Sequence, residues 1–234
     1  MDKMYGVRFG EQHSYTDLGL ILNSKSIGAP SPKTNTIDIP GADGEIDLTE
    51  ALTGDIKYSN RIIKCELTHK GDYGGFLTKW SELQNLLHGK KMKIVFDDDT
   101  YYYYIGRVIL NEWKTDKSIG RINLQIDAEP YKQETQTSAE DWIWDIFNFE
   151  TGVIRELKDI TIVGTKEVTV IGSSKKSIPV IYSTSEMKIK YRNNTYDIVA
   201  GTNKIYDILL PQGTNKLTFI GNGVITIEYR GGSL

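Results

Sequence analysis

Cysteine is almost missing from this 234-residue chain: Cys65 stands alone. One thiol cannot build a disulfide framework, a cysteine-rich zinc site or an iron–sulfur cluster. Histidine is nearly as scarce, and His13, His69 and His88 lie far apart, with no second histidine or cysteine at metal-ligand spacing. No apolar run approaches the roughly 18 residues that a membrane-spanning helix needs. The opening Met1-Asp2-Lys3-Met4 lacks the apolar stretch of a secretory signal. An excess of positive charge is absent too: 28 basic residues face 31 acidic ones, and up to Pro130 the balance is 16 to 19. A partner of nucleic-acid backbone needs the opposite sign. The expectation is a soluble protein made in the cytoplasm, inserted in no membrane and bound to no nucleic acid.

What the chain does have is a period of two. Ile122, Leu124, Ile126 and Ala128 alternate with polar residues without error, and residues 188–191 and 225–229 do the same. Ile63, Cys65 and Leu67 share one face of another such run. Alternation of this kind fits antiparallel sheets with one dry and one wet face, and the recurring Gly and Asn punctuation fits sandwiches and barrels. One segment has a helical period instead: Phe76, Trp80, Leu83 and Leu87 form a single stripe closed by Gly89. After it, residues 91–96, an Asp97-Asp98-Asp99 turn and residues 101–106 read as a hairpin. Pro130 and the polar stretch after it mark a boundary. Two domains follow from this, 1–131 with the helix and hairpin and 132–234 all β. The fold class is mainly β, a sandwich-like front domain followed by a β-sandwich.

The residues offer little chemistry. A Gly-x-Ser-x-Gly elbow is absent, Gln84 spoils the one phosphate-loop lookalike, and Tyr102 stands where a calcium loop starting at Asp97 needs glycine. Asp43, Glu45 and Asp47 are spaced for one face, but turn carboxylates are usually just solvated. Cys65 on an apolar face reads as a small buried hydrophobe. We expect no enzyme, no cofactor and no metal. Trp142 and Trp144 could stack on a sugar, although Ile143 between them favours packing. In the run 101–104, two tyrosines should face in and two out. The acidic triplet should be a solvated hairpin tip that blunts a sheet edge. Pro40-Gly41 and Asp43-Gly44 make two tight turns with positive φ at the glycines. Arg61 is placed to lock the turn carboxylates in a forked ion pair, and His88 to meet the last helix carbonyls.

The ordered set of residues 39–48, Leu52-Thr53-Gly54, Tyr58 and Arg61, Trp80, residues 87–90, the acidic turn and Tyr101 to Arg107 resembles the distal tail proteins of siphophages. The resemblance covers roughly residues 1–130. It implies a structural virion protein of a phage or prophage that forms a hexameric ring in the baseplate hub. The ring joins the tail tube protein to a tail-tip hub or fibre protein, and in some relatives supports receptor-binding proteins. It also implies a galectin-like or carbohydrate-module-like second domain and a place in the virion tail. The expected subunit-interface residues are Pro40, Gly41, Asp43, Gly44, Asp47 and Arg61 in the turn region, with Asp97, Asp98, Tyr102 and Tyr104 in the hairpin. The alternative is a host-surface carbohydrate-binding module carried by Trp142 and Trp144.

Overall fold

Alternating apolar residues become the dry faces of two β structures. The computed structural model describes residues 5–51, 53–70, 73–116, 119–140 and 155–234. These fall into two compact units, one of residues up to 99 with 104–130, the other of residues 100–103 with 131–234.

In the first unit the strands are β1 (Val7–Phe9), β2 (Gln12–His13), β3 (Leu20–Ile27), β4 (Thr36–Asp38), β5 (Glu45–Asp47) and β6 (Arg61–Lys70). Then follow the helix α1 (Tyr73–Leu87) and the strands β7 (Lys91–Phe96), β8 (Tyr102–Asp116) and β9 (Ile119–Ala128). The antiparallel order is β2-β1-β7-β8-β9-β6-β3. Ile63, Cys65 and Leu67 from β6 meet Ile122, Leu124 and Ile126 from β9 in one buried cluster with Ile94, Val108 and Leu83. Each such burial is worth about 1.5–3 kcal/mol. The helical stripe falls where its period puts it: Phe76, Leu83 and Leu87 are buried and Trp80 packs against the cluster. Phe76 lies edge-on to Trp113 of β8 at 5.7 Å and to His69 of β6 at 5.6 Å. Gly89 stops the helix with φ of 75°, a conformation open to glycine and strained for other residues. His88 departs from expectation: its Nδ1 accepts the Leu110 N–H at 3.1 Å instead of serving the helix end. The reason is a bulge between Leu110 and Glu112, which frees a strand N–H beside it.

The sheet curls over its own core. β3 stands last in the pairing order, yet the Lys25 ammonium lies 4.4 Å from the ring centre of Phe96 on β7 and pairs with Asp98 just beyond it.

In the second unit, β10 (Lys132–Glu134), β11 (Ile160–Gly172), β12 (Val180–Ser183), β13 (Met187–Tyr191), β14 (Asn194–Ile198), β15 (Gly201–Lys204), β16 (Gly213–Glu228) and β17 (Gly232–Ser233) follow in order. The main sheet runs β14-β13-β16-β12-β15, with β11 paired along β16. Its core gathers Ile162, Val170, Ile181, Ile189, Leu217, Phe219 and Ile227. β10 pairs with β17 on one side and with Tyr102 and Tyr103 on the other. Glu134, on β10, holds Arg155 bidentately, Oε1 to Nη2 at 2.9 Å and Oε2 to Nη1 at 2.5 Å, and both side chains are buried.

This pair generates a stability prediction. Truncating one partner of a buried pair leaves the other charge stranded, at a cost of about 3–5 kcal/mol. Glu134→Ala is expected to lower the unfolding free energy measured in urea by that amount. Lys216→Ala, which breaks the exposed pair with Glu167, should change stability by less than about 1 kcal/mol.

Candidate functional site

Between β3 and β6 the chain leaves the core. Every residue from 31 to 47 is exposed, and the outgoing and returning halves are zipped together as an arm. At its base the Lys33 N–H donates to the Lys57 carbonyl at 2.7 Å and the Ser59 N–H to the Ser31 carbonyl at 2.9 Å. Farther out the Leu48 N–H donates to the Asn35 carbonyl, and the Asn35 N–H to Thr49 Oγ1 at 3.0 Å. Thr49 in turn donates its N–H to Asp47 Oδ1 at 2.8 Å. Hydrogen bonds from the Thr49 hydroxyl and N–H hold the Asp47 carboxyl below the usual carboxylate range.

The outer end is the ribbon of β4 and β5, paired as Thr36 with Asp47, Ile37 with Ile46 and Asp38 with Glu45. Its turn contains the two glycines expected in left-handed conformations, Gly41 at φ 87° and Gly44 at φ 77°. The ribbon is amphipathic. Ile37, Ile39 and Ile46 share a face and are 48%, 40% and 48% exposed. Asp38, Glu45 and Asp47 occupy the other, and residues 36–47 contain no lysine or arginine. A two-stranded ribbon of this size is at best marginally stable by itself, and exposed apolar faces mark interaction surfaces. The structure thus leaves Pro40, Gly41, Asp43, Gly44 and Asp47 together on a projecting, solvated element. The exposed isoleucines beside them were missed by reading the turn for its charges. The signal was present: residues 36–39 and 45–48 alternate in mirror fashion about the turn.

The remaining expected site residues lie elsewhere. Arg61 does not lock the turn. It is 5% exposed on β6, with its guanidinium 5.6 Å from the ring centre of Tyr104. Its Nε and Nη2 have no hydrogen-bond partner among the described residues. The reason is position: Arg61 is the first residue of a core strand and points into the unit, whereas the turn carboxylates sit out on the arm. Burial lifts the Tyr104 hydroxyl above its ordinary pKa, against the pull of the Arg61 charge.

Two carboxylates of the acidic triplet have partners within the unit instead of forming a purely solvated tip, although Asp98 itself is exposed. Asp97 accepts the Gly6 N–H at 2.9 Å and meets His13 Nε2 at 3.0 Å, while Asp98 pairs with Lys25. The tyrosines do not alternate either: Tyr101 to Tyr104 are all buried. Each has its own cover. Tyr101 and Tyr102 rings meet at 4.8 Å, Lys132 lies over Tyr102, Arg230 over Tyr103, and Phe96 is edge-on to Tyr104. Trp142 and Trp144 lie outside the described residues.

Among the described residues, no three histidine, cysteine or acidic side chains gather as a metal site, and no helix is long and apolar enough to cross a membrane. Burial pushes the Cys65 thiol up to about 12, so the thiolate that a nucleophile requires is not formed at neutral pH.

Two outcomes follow. Arg61→Met is expected to leave stability unchanged or raise it, because it removes unpaired buried donors; a loss above about 2 kcal/mol in chemical denaturation would restore a paired role. Cys65 should resist a thiol reagent at pH 8 and react when urea unfolds the chain. Above the unfolded thiol's pKa of 9.0 the unfolded chain alone loses the proton, so Cys65 also lowers stability as pH rises toward about 12. Cys65→Ala should flatten that alkaline slope.

Comparison with known proteins agrees with this picture of a structural subunit. The family described as phage tail protein RIFT-related domain matches residues 9–131, more than half of the chain. Across 99% of this chain and 100% of the other, the structure is similar to the Dit protein (gp 19.1) of phage SPP1, with a TM-score of 0.64 at 14% identity. That protein is described as a paradigm of the hub adsorption apparatus in phages infecting Gram-positive bacteria. No curated protein matches. At this identity the likeness establishes fold, and the family match establishes kinship: the chain belongs to the phage tail proteins of the RIFT-related domain family and has the mainly β fold of a distal tail protein.

Proposed function

We propose that the chain is the repeating subunit of a closed hexameric ring at the distal end of a siphophage tail. The ring sits between the tail tube protein and the hub or fibre protein of the tail tip. Its place is the virion tail, in keeping with a phage tail family. Residues 1–131 build the ring, and residues 132–234 form the second, all-β domain.

The observation that carries this reading is the exposed arm. An amphipathic ribbon with unburied isoleucines, held clear of its own core, has the character of a part completed by a neighbour. A ring uses heterologous contacts, so one protruding element and one receiving surface on every copy suffice to close it. Structural kinship with a hub protein supports the same direction.

Light scattering coupled to size exclusion checks it. The full chain should elute with the mass of a hexamer, or of a smaller oligomer that gives way to the hexamer as concentration rises. Ile37→Ser with Ile46→Ser should drive it toward the 26.5 kDa monomer while leaving the thermal midpoint within about 2 °C, since neither residue belongs to a core. A wild-type chain that stays monomeric at millimolar concentration contradicts the ring.

A further inference from the structure

Besides the arm, the first unit carries a second unusual surface. On the outer face of β1, β7 and β8, exposed cations are grouped. Lys91 stands directly opposite Arg107, Lys93 opposite Ile105, and Arg8 opposite Val95. Lys90 precedes this band and is exposed like Arg8, Lys91, Lys93 and Arg107. The acidic groups on the same surface are fewer. Glu129 accepts from Lys91 Nζ at 2.7 Å, and Asp127 is the cross-strand neighbour of Arg107. Arg107 also donates to the Gly89 carbonyl, which holds its guanidinium against the helix end.

Apolar residues are interleaved with these cations. Val95, Ile105 and Ile109 are only partly buried, and by strand alternation they face outward while Ile94, Phe96, Val108 and Leu110 face the core. Along β8 Arg107 stands between Ile105 and Ile109, and Lys93 faces Ile105 across the strands, so apolar and cationic side chains are interspersed over this face. The arm is its complement: isoleucines on one face, and Asp38, Asp43, Glu45 and Asp47 around the other face and the tip, with no cation between residues 36 and 47.

We infer that the arm of one copy docks on the β1–β7–β8 face of the next copy. Ile37, Ile39 and Ile46 seat against Val95, Ile105 and Ile109, and the arm carboxylates lie within electrostatic reach of Arg8, Lys91, Lys93 and Arg107. This rests on the ring reading and deepens it by naming both surfaces. The two surfaces differ in charge and shape, so the contact is heterologous, as a ring requires. Apolar seating supplies the contact energy, and opposite charge sets orientation and association rate. A ribbon is thin against a screening length of about 8 Å at physiological salt, so carboxylates on its far face still feel the band.

A charge exchange in the full-length chain tests it. Reversing the band with Lys91→Glu, Lys93→Glu and Arg107→Glu should weaken self-association at least about tenfold. Reversing the arm with Asp38→Lys, Asp43→Lys and Glu45→Lys should do the same, and a chain carrying both sets should recover most of the loss. Circular dichroism melts identify variants that are folded. Wild-type self-association provides a reading that needs no variant. Raising salt from 50 to 500 mM should weaken it, whereas an apolar-only contact would hold or tighten. Oligomers insensitive to band reversal, to salt, or without recovery in the folded double set would overturn this docking and leave the ring intact. A wild-type monomer would overturn both.

Discussion

Burial is the constraint on which this molecule turns. Both units bury a core of their own: the long alternating strands find a dry partner face, and the described helix closes over the first core with Phe76, Leu83 and Leu87. The arm cannot. Three residue pairs in a lone ribbon have no second layer to pack against, so its isoleucines stay in water until something covers them. An exposed apolar face on a marginally stable ribbon has the character of an interaction surface.

Charge sharpens this. Within the first unit, the Lys25–Asp98 ion pair and the hydrogen bond between His13 and Asp97 tie strands and turns to one another. The carboxylates of the ribbon are different: they cluster without a cation in their segment, while cations gather on another face of the same unit. In the proposed ring, each of these surfaces is satisfied by the other on a neighbouring copy. The kinship with phage tail proteins gives such self-complementarity an obvious use.

Local rules proved legible and distant ones did not. The alternation at residues 121–128 lies within β9, residues 188–191 within β13, and the stripe from Phe76 to Leu87 within α1, each because period alone decides which face is dry. Gly41, Gly44 and Gly89 adopt left-handed conformations because the turns demand it. β11 was not readable: residues 163–167 are all exposed and Gly164 is left-handed, so no dry face shows in the sequence. Arg61, His88 and Asp97 were misplaced for a common reason. Each takes its partner from a strand or segment remote in sequence, Tyr104, Leu110 and His13 with Gly6. The bidentate pair of Glu134 and Arg155 was invisible for the same reason. Of the expected interface residues, those of the turn lie together on the exposed arm because their turn chemistry places them there. The isoleucines beside them passed for ordinary core positions, since exposure is a property of the fold.

The most direct measurement of the central claim is hydrogen exchange across a dilution series. If copies of the chain complete the arm, amides in residues 36–47 exchange within seconds in dilute solution and become protected as concentration rises, while β6 and β9 are protected throughout. Arm amides that stay unprotected at the highest concentration, or that are already protected in a proven monomer, would contradict it.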